Sequence, residues 1–241
     1  MYSLKLGAAR CGLLLLVVAF LWALVPADGV YALSGSTERV SVGTTGIEGD
    51  GDSHEPVMSA DGRYVAFQSY ASNLVDGDTG GYRDVFVHDR RTGTTERVSV
   101  NTEGDQGNGD SRVAAISADG RFVAFSSYAT NLVDGDTNRY RDAFVHDRHT
   151  GSTERVSVGT TGNEGNGESR AIAMSADGRF VAFHSLASNL VAGDTNGLAD
   201  VFVYDRQTGT MERVSVDTAG DQGNGDSWWP AISADGRYVA F

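Results

Sequence analysis

Ser117-Ala118-Asp119-Gly120-Arg121-Phe122-Val123-Ala124-Phe125 decides how this chain folds, because close copies of it recur at a fixed step. Its opening, Ser-Ala-Asp-Gly-Arg, begins at Ser59, Ser117, Ser175 and Ser233, 58 residues apart each time. A fixed period of this size marks stacked structural units, none of which buries its apolar face alone. Within one unit, 112–117 is a short apolar run and Asp119-Gly120 punctuates a tight hairpin. The segment 121–126 is a β-branched and aromatic strand, and 142–147 (Asp-Ala-Phe-Val-His-Asp) is a third. After the turn 148–151, a fourth strand covers 153–158 (Thr-Glu-Arg-Val-Ser-Val). The unit therefore reads as four short antiparallel strands without a helix. Val123 and Phe125 face one way and Phe122 and Ala124 the other, so the second strand needs an apolar layer on each side. Neighbouring propeller blades supply such layers, while Glu154 and Arg155 mark the fourth strand as half exposed, at an outer edge.

The turn string, the Val-Phe-Val-His-Asp-Arg strand and the Thr-Gly turn after it resemble the TolB-like β-propeller repeat, a WD-like repeat of exported bacterial proteins, over about residues 38–241. That family reads Ser-Pro-Asp-Gly-Lys at the turn. Here Ala60, Ala118, Ala176 and Ala234 stand for the proline, and arginine stands for the lysine. The resemblance implies an all-β ring of about six four-stranded blades. It leaves the role open among binding platform, cell-envelope component and gating domain of a peptidase. The expected blades are 53–100, 111–158 and 169–216, with 227–241 incomplete. Residues 38–42 match a fourth strand alone, the piece with which a propeller closes its ring. Six such units need about 350 residues, so the chain reads as the first part of a longer protein. The alternative is a short chain that closes its ring by oligomerising and leaves an apolar strand edge exposed.

Residues 1–32 differ from the rest. Lys5 and Arg10 precede an apolar run that ends at Val25, and Val30-Tyr31-Ala32 has the form of a cleavage site. This reads as a secretory signal cut after Ala32, with a retained anchor as the rival; the run is shorter than the ~20 residues that span a bilayer. The expected location is periplasmic or extracellular, without stable membrane insertion. Cleavage removes the only cysteine, Cys11, and the only lysine, Lys5. The exported chain then has no disulfides and no lysine nucleophile. The full chain carries a net charge of −13, which disfavours nucleic acid and anionic membranes.

Strand order puts the Asp-Gly and Thr-Gly turns on one face and two acidic, Gly-rich loops per blade on the other. One loop type, 102–110 and its counterparts, reads as a ligand-facing loop or a plain crossover. In the other, Asp134, Asp136, Asn138 and Asp142 have the alternate spacing of a calcium loop. Its counterparts are Asp76, Asp78 and Asp84, and Asp194, Asn196 and Asp200. The pattern lacks an acid at the final position, and Ala192 replaces the first one in the third blade. Bound calcium and simple Asx turns both remain open. Trp228-Trp229 breaks the repeat where the innermost strand reaches the channel mouth, which suits a protein, peptide or glycan ligand. Adjacent strand residues alternate, so at most one indole is expected to be free for it. No catalytic constellation is found: His88 and His146 share a position with Tyr204, and no Gly-x-Ser-x-Gly is present. The leading expectation is an exported, non-catalytic binding or scaffold module whose ligand face is formed by the acidic, Gly-rich loops. Two others stand beside it: the propeller of a larger exported hydrolase or peptidase whose catalytic part lies beyond residue 241, and a calcium-stabilised structural protein of the cell surface.

Overall fold

The computed structural model describes residues 37–241, so the signal-peptide reading of residues 1–32 lies outside the described residues. Fourteen strands follow in chain order. The first blade holds β1 (Ser53–Met58), β2 (Tyr64–Ser69), β3 (Asp84–Asp89) and β4 (Thr94–Arg97). The second holds β5 (Ser111–Ile116), β6 (Phe122–Ser127), β7 (Asp142–Asp147) and β8 (Ser152–Arg155). The third holds β9 (Ser169–Met174), β10 (Phe180–Ser185), β11 (Asp200–Asp205) and β12 (Thr210–Arg213). A fourth unit contributes β13 (Ala231–Ile232) and β14 (Val239–Ala240). Each blade is an antiparallel meander in sequence order, and β13 pairs with β14. These are propeller blades. No helix among the described residues is long and apolar enough to cross a membrane.

The fourth strands end at Arg97, Arg155 and Arg213, short of the expected 153–158 span. A serine side chain takes over the ladder there. The Val85 amide donates to Ser99 Oγ (3.0 Å), which in turn donates to Asp84 (2.5 Å), and Ser157 and Ser215 repeat this on Ala143 and Val201. Residues 38–42, expected from the sequence as a closing strand, form no strand. Val42 bridges Glu48 and accepts a bond from Thr95 Oγ1 at 2.5 Å, as Val100 does from Thr153.

The doubly apolar second strand finds its two layers. Ala66, Val85, Val87 and Val98 pack against Val113, Val123, Phe125 and Phe144, joining the first blade to the second. Ala124, Ala143, Val145 and Val156 pack against Ile172, Val181, Phe183 and Phe202, joining the second to the third. Phenylalanine pairs stack inside each blade at 5.7–6.0 Å between ring centroids.

The repeated turn is also a joint. Ser117 Oγ donates to Asp119 (2.6 Å) and accepts from the Phe122 amide (2.9 Å). Arg121 then grips Asp147 at the end of β7 with two bonds of 2.9 and 2.6 Å. Arg63–Asp89 and Arg179–Asp205 repeat the grip. The arginine holds each of these carboxylates well below the usual range. Between blades, the Ala60 amide donates to Ala118 O (3.0 Å), Ala118 to Ala176 O (2.8 Å) and Ala176 to Ala234 O (2.9 Å). Arg148 lies 4.2 Å above the Tyr64 ring of the preceding blade and donates to Glu96, and Arg206 does the same with Phe122 and Glu154. Gly120 sits at φ 76°, and a Cβ there would lie 2.1 Å from the Tyr64 ring.

Candidate functional site

The long loops and the propeller axis were the two places the sequence singled out, and they differ in chemistry. In each loop the carboxylates converge on an arginine of their own blade. Asp136 and Asp142 lie 3.5 and 3.9 Å from Arg155 Nη1, and Asp142 also accepts from Ser157 Oγ (2.5 Å) and Asn138 Nδ2 (2.8 Å). Asp78 and Asp84 stand in the same relation to Arg97, with Gln106 Nε2 donating to both. Asp194, Asn196 and Asp200 repeat it around Arg213. Asp76 and Asp134 are exposed and outside these groups. Burial pushes Asp84 and Asp136 up to about 6, against the pull of the arginines. A calcium loop needs oxygen donors around an open centre. Here a guanidinium lies beside the carboxylates, and Asn138 turns its amide nitrogen toward Asp142. Among the described residues no group of three or more His, Cys, Asp or Glu side chains closes on one point. As arranged, the donor set fits an internal arginine rather than a metal ion.

The axis carries a cavity of about 700 Å³, within the range of small-ligand sites. The innermost strands and their equivalent in the fourth unit line it: Glu55 to Val57 on β1, Arg112 to Ala114 on β5, Arg170 and Ile172 on β9, and Trp228 to Pro230. Ser126 and His184 add the ends of β6 and β10, and Arg141 the loop before β7. Each innermost strand is bulged at this level, with register shifts at His54/Val57 and Val113/Ala115 and between the β9 partners of Ala182 and His184. Bulges re-aim side chains and are frequent beside functional sites. Glu55 and Trp229 occupy the same repeat position, and both have a left-handed backbone, at φ 52° and 56°.

That backbone corrects one expectation. Trp228 and Trp229 both line the cavity, because the segment before β13 is not a regular strand and Trp229 breaks the alternation. Trp228 meets His184 edge-on at 4.6 Å, and Trp229 lies 6.0 Å from it and is 78% exposed. His184 is buried with Nδ1 unpartnered, and its burial together with Arg170 holds it down to about 4. By contrast, His88 and His146 each bond a threonine hydroxyl at 2.9 Å, as packing residues with a polar tip.

Sequence reasoning named the tryptophans but missed Arg112, Arg141, Arg170, His184 and Glu55 in the same wall. The signal was present in the repeat columns. Positions 54, 112, 170 and 228 read His, Arg, Arg, Trp, although the flanking turns do not change.

No family model matches this sequence, and no curated protein matches it. Among solved structures, the chain is similar to a candidate TolB from Agrobacterium tumefaciens, with 20% identity and a TM-score of 0.48, covering 76% of this chain and 50% of that one. It is similar to the β-propeller domain of the Trilobed protease from Pyrococcus furiosus, with 13% identity and a TM-score of 0.43, covering 68% and 42%. An oligogalacturonate lyase in complex with manganese matches at 17% identity and a TM-score of 0.45, covering 79% and 44%. The chain thus spans half or less of the length of these structures. Its propeller fold stands on its own sheets and their packing.

Proposed function

We propose that this chain is a non-catalytic binding module of an exported protein, and that its ligand, a peptide or glycan, sits in the axial cavity. The carrying observation is the cavity wall itself. Innermost strands of successive blades converge there, and two adjacent indoles are turned onto it by a left-handed residue. Exposed tryptophans of this kind are the side chains most often found at binding hot spots. The acidic loops are read as structural, each set of carboxylates answered by Arg97, Arg155 or Arg213. His88 and His146 each bond a threonine inside the blades, which supports the non-catalytic reading for those two.

Peptide and glycan arrays probed with the full chain test this reading. Ligands that bind the wild-type chain and are lost by the Trp228→Ala/Trp229→Ala pair, at an unchanged melting midpoint, are expected. Binding that the pair leaves intact would move the site away from the axis.

A further inference from the structure

The cavity wall has an unusual charge for a chain whose net charge is −13. Three arginines, Arg112, Arg141 and Arg170, line it, and among the described residues Glu55 is the one carboxylate in its wall. Arg170 is paired with Glu168, which also accepts from Tyr128 Oη at 3.1 Å. The side chains of Arg112 and Arg141 make no hydrogen bond or ion pair with any described residue, and the Nε of each is buried and unpartnered. Arg141 is 7% exposed, its guanidinium lying 4.5 Å from the centre of the Tyr128 ring. Burial, and after it the charges of Arg170, Arg112 and Arg83, destabilise its charged form. A guanidinium does not escape such a position by losing its proton. Buried charge left without a partner is destabilising, so the wall holds a standing positive excess that the protein itself does not neutralise.

The repeat shows where this excess arises: Arg112 and Arg170 share one column, and Arg83 and Arg141 another. Arg83 lies 4.6 Å from the Tyr70 ring, as Arg141 does from Tyr128. In the third blade both partners are gone, replaced by Ala199 and Leu186, while the surrounding loop keeps its form. The fourth unit brings Trp228 in place of a further arginine. One side of the cavity is thus cationic and the other aromatic.

We propose that the axial cavity is an oxyanion site, in which Arg112, Arg141 and Arg170 receive a carboxylate or phosphate group of the ligand and Trp228 and Trp229 cover its apolar part. The inference rests on the reading of the cavity as the ligand site and adds the class of ligand. Arginine forks match both oxyanions bidentately, and burial strengthens each bond. Neutral sugars and uncharged peptides leave the arginines unpaired and are disfavoured for that reason.

Titration of the full chain with citrate and, separately, inorganic phosphate tests it, read by tryptophan fluorescence and melting midpoint. At least one anion is expected to quench the indoles and raise the midpoint, and the stronger of the two identifies the group. Arg112→Gln and Arg141→Met are each expected to weaken that binding about tenfold or more. Arg112→Gln keeps the test alive should the more buried Arg141→Met variant fail to fold. No response to either anion up to about 10 mM, or a response that Arg112→Gln does not weaken, overturns the oxyanion site. Tryptophan-dependent array binding of neutral ligands, with no anion response, would overturn this inference and leave the binding reading standing. Arrays and anions both failing would remove the two together.

Discussion

The two ends of the propeller axis are built on opposite plans. At the turn end, every copy of Ser-Ala-Asp-Gly-Arg makes the same turn, the three complete blades make the same arginine–aspartate grip, and successive turns are joined by alanine amide bonds of 2.8–3.0 Å. At the cavity end the same columns of the repeat differ from copy to copy, and the polar groups are left open: Arg112 Nε, Arg141 Nε and His184 Nδ1 are buried without partners. Satisfied and constant residues hold the ring together. Unsatisfied and variable ones line the cavity in which we propose the ligand sits. The difference teaches where to look in a repeat protein, since an invariant residue is explained by the joint it makes and a departure needs another reason.

Changes at the turn end should act on stability alone, and they can be ranked. Gly120→Ala combines a strained φ with a clash against Tyr64. It is expected to lower unfolding free energy by about 3 kcal/mol or more in a denaturant titration. Gly151 has the same φ of 76° with nothing within 4 Å, so Gly151→Ala should cost only about 1 kcal/mol. Equal losses would show that the Tyr64 contact is irrelevant.

Removing Arg155 leaves Asp136 and Asp142 buried without their counter-charge. Arg155→Met is expected to cost about 3 kcal/mol near neutral pH, with part of the loss recovered as acid protonates the pair. A loss that does not depend on pH would mean that packing, not charge, is what Arg155 supplies. Chelator, in contrast, should leave the wild-type midpoint where it is; a drop would return the loops to calcium.

The pH profile of the wild-type chain separates the two kinds of carboxylate. Asp89, Asp147 and Asp205 are held below the usual range, so their contribution is fully present above pH ~4 and is lost as pH falls from there through their lowered folded values. Asp84 and Asp136, pushed up to about 6, favour the folded state most in acid and lose that as pH rises toward 6. His146 and His184, held down to about 4, act oppositely over nearly the same window. The melting midpoint should therefore vary little from pH ~4 to 6 and fall steeply below. Asp147→Asn should flatten the acid limb; an unchanged limb would remove the arginine grip from the account.

A smaller effect addresses the departure from Ser-Pro-Asp-Gly-Lys. The Ala118 amide donates to Ala176 across the blade joint, which proline cannot do. Ala118→Pro is expected to cost about 1 kcal/mol. Ala234→Pro removes no such bond among the described residues and should cost less.

Much of the fold was legible because its causes are local and repeated. The Asp-Gly turns, the doubly apolar strand and the 58-residue step each point to stacked four-stranded blades. The early end of the fourth strand was not, because it depends on Ser99, Ser157 and Ser215 taking a backbone amide, a bond that alternation does not encode. The cavity was half legible. Trp228 and Trp229 stood out as a break in the repeat, but the left-handed turn that aims both inward is a property of the folded segment. The arginines were hidden because Arg112 and Arg141 sit on separate segments of the second blade, and Arg170 joins them only once the third blade packs beside it. The arginine beside the acidic loops was hidden too, since the charge that answers those acids comes from the next strand.

A melting scan of the wild-type chain, Arg112→Gln and Arg121→Gln, each with and without citrate or whichever anion binds, puts both plans in one measurement. Arg121→Gln should lower the midpoint and keep the anion-induced rise. Arg112→Gln should keep the midpoint, or raise it by relieving like charge, and lose the anion-induced rise. Both variants losing midpoint and anion response in parallel would contradict the division between a structural end and a binding end.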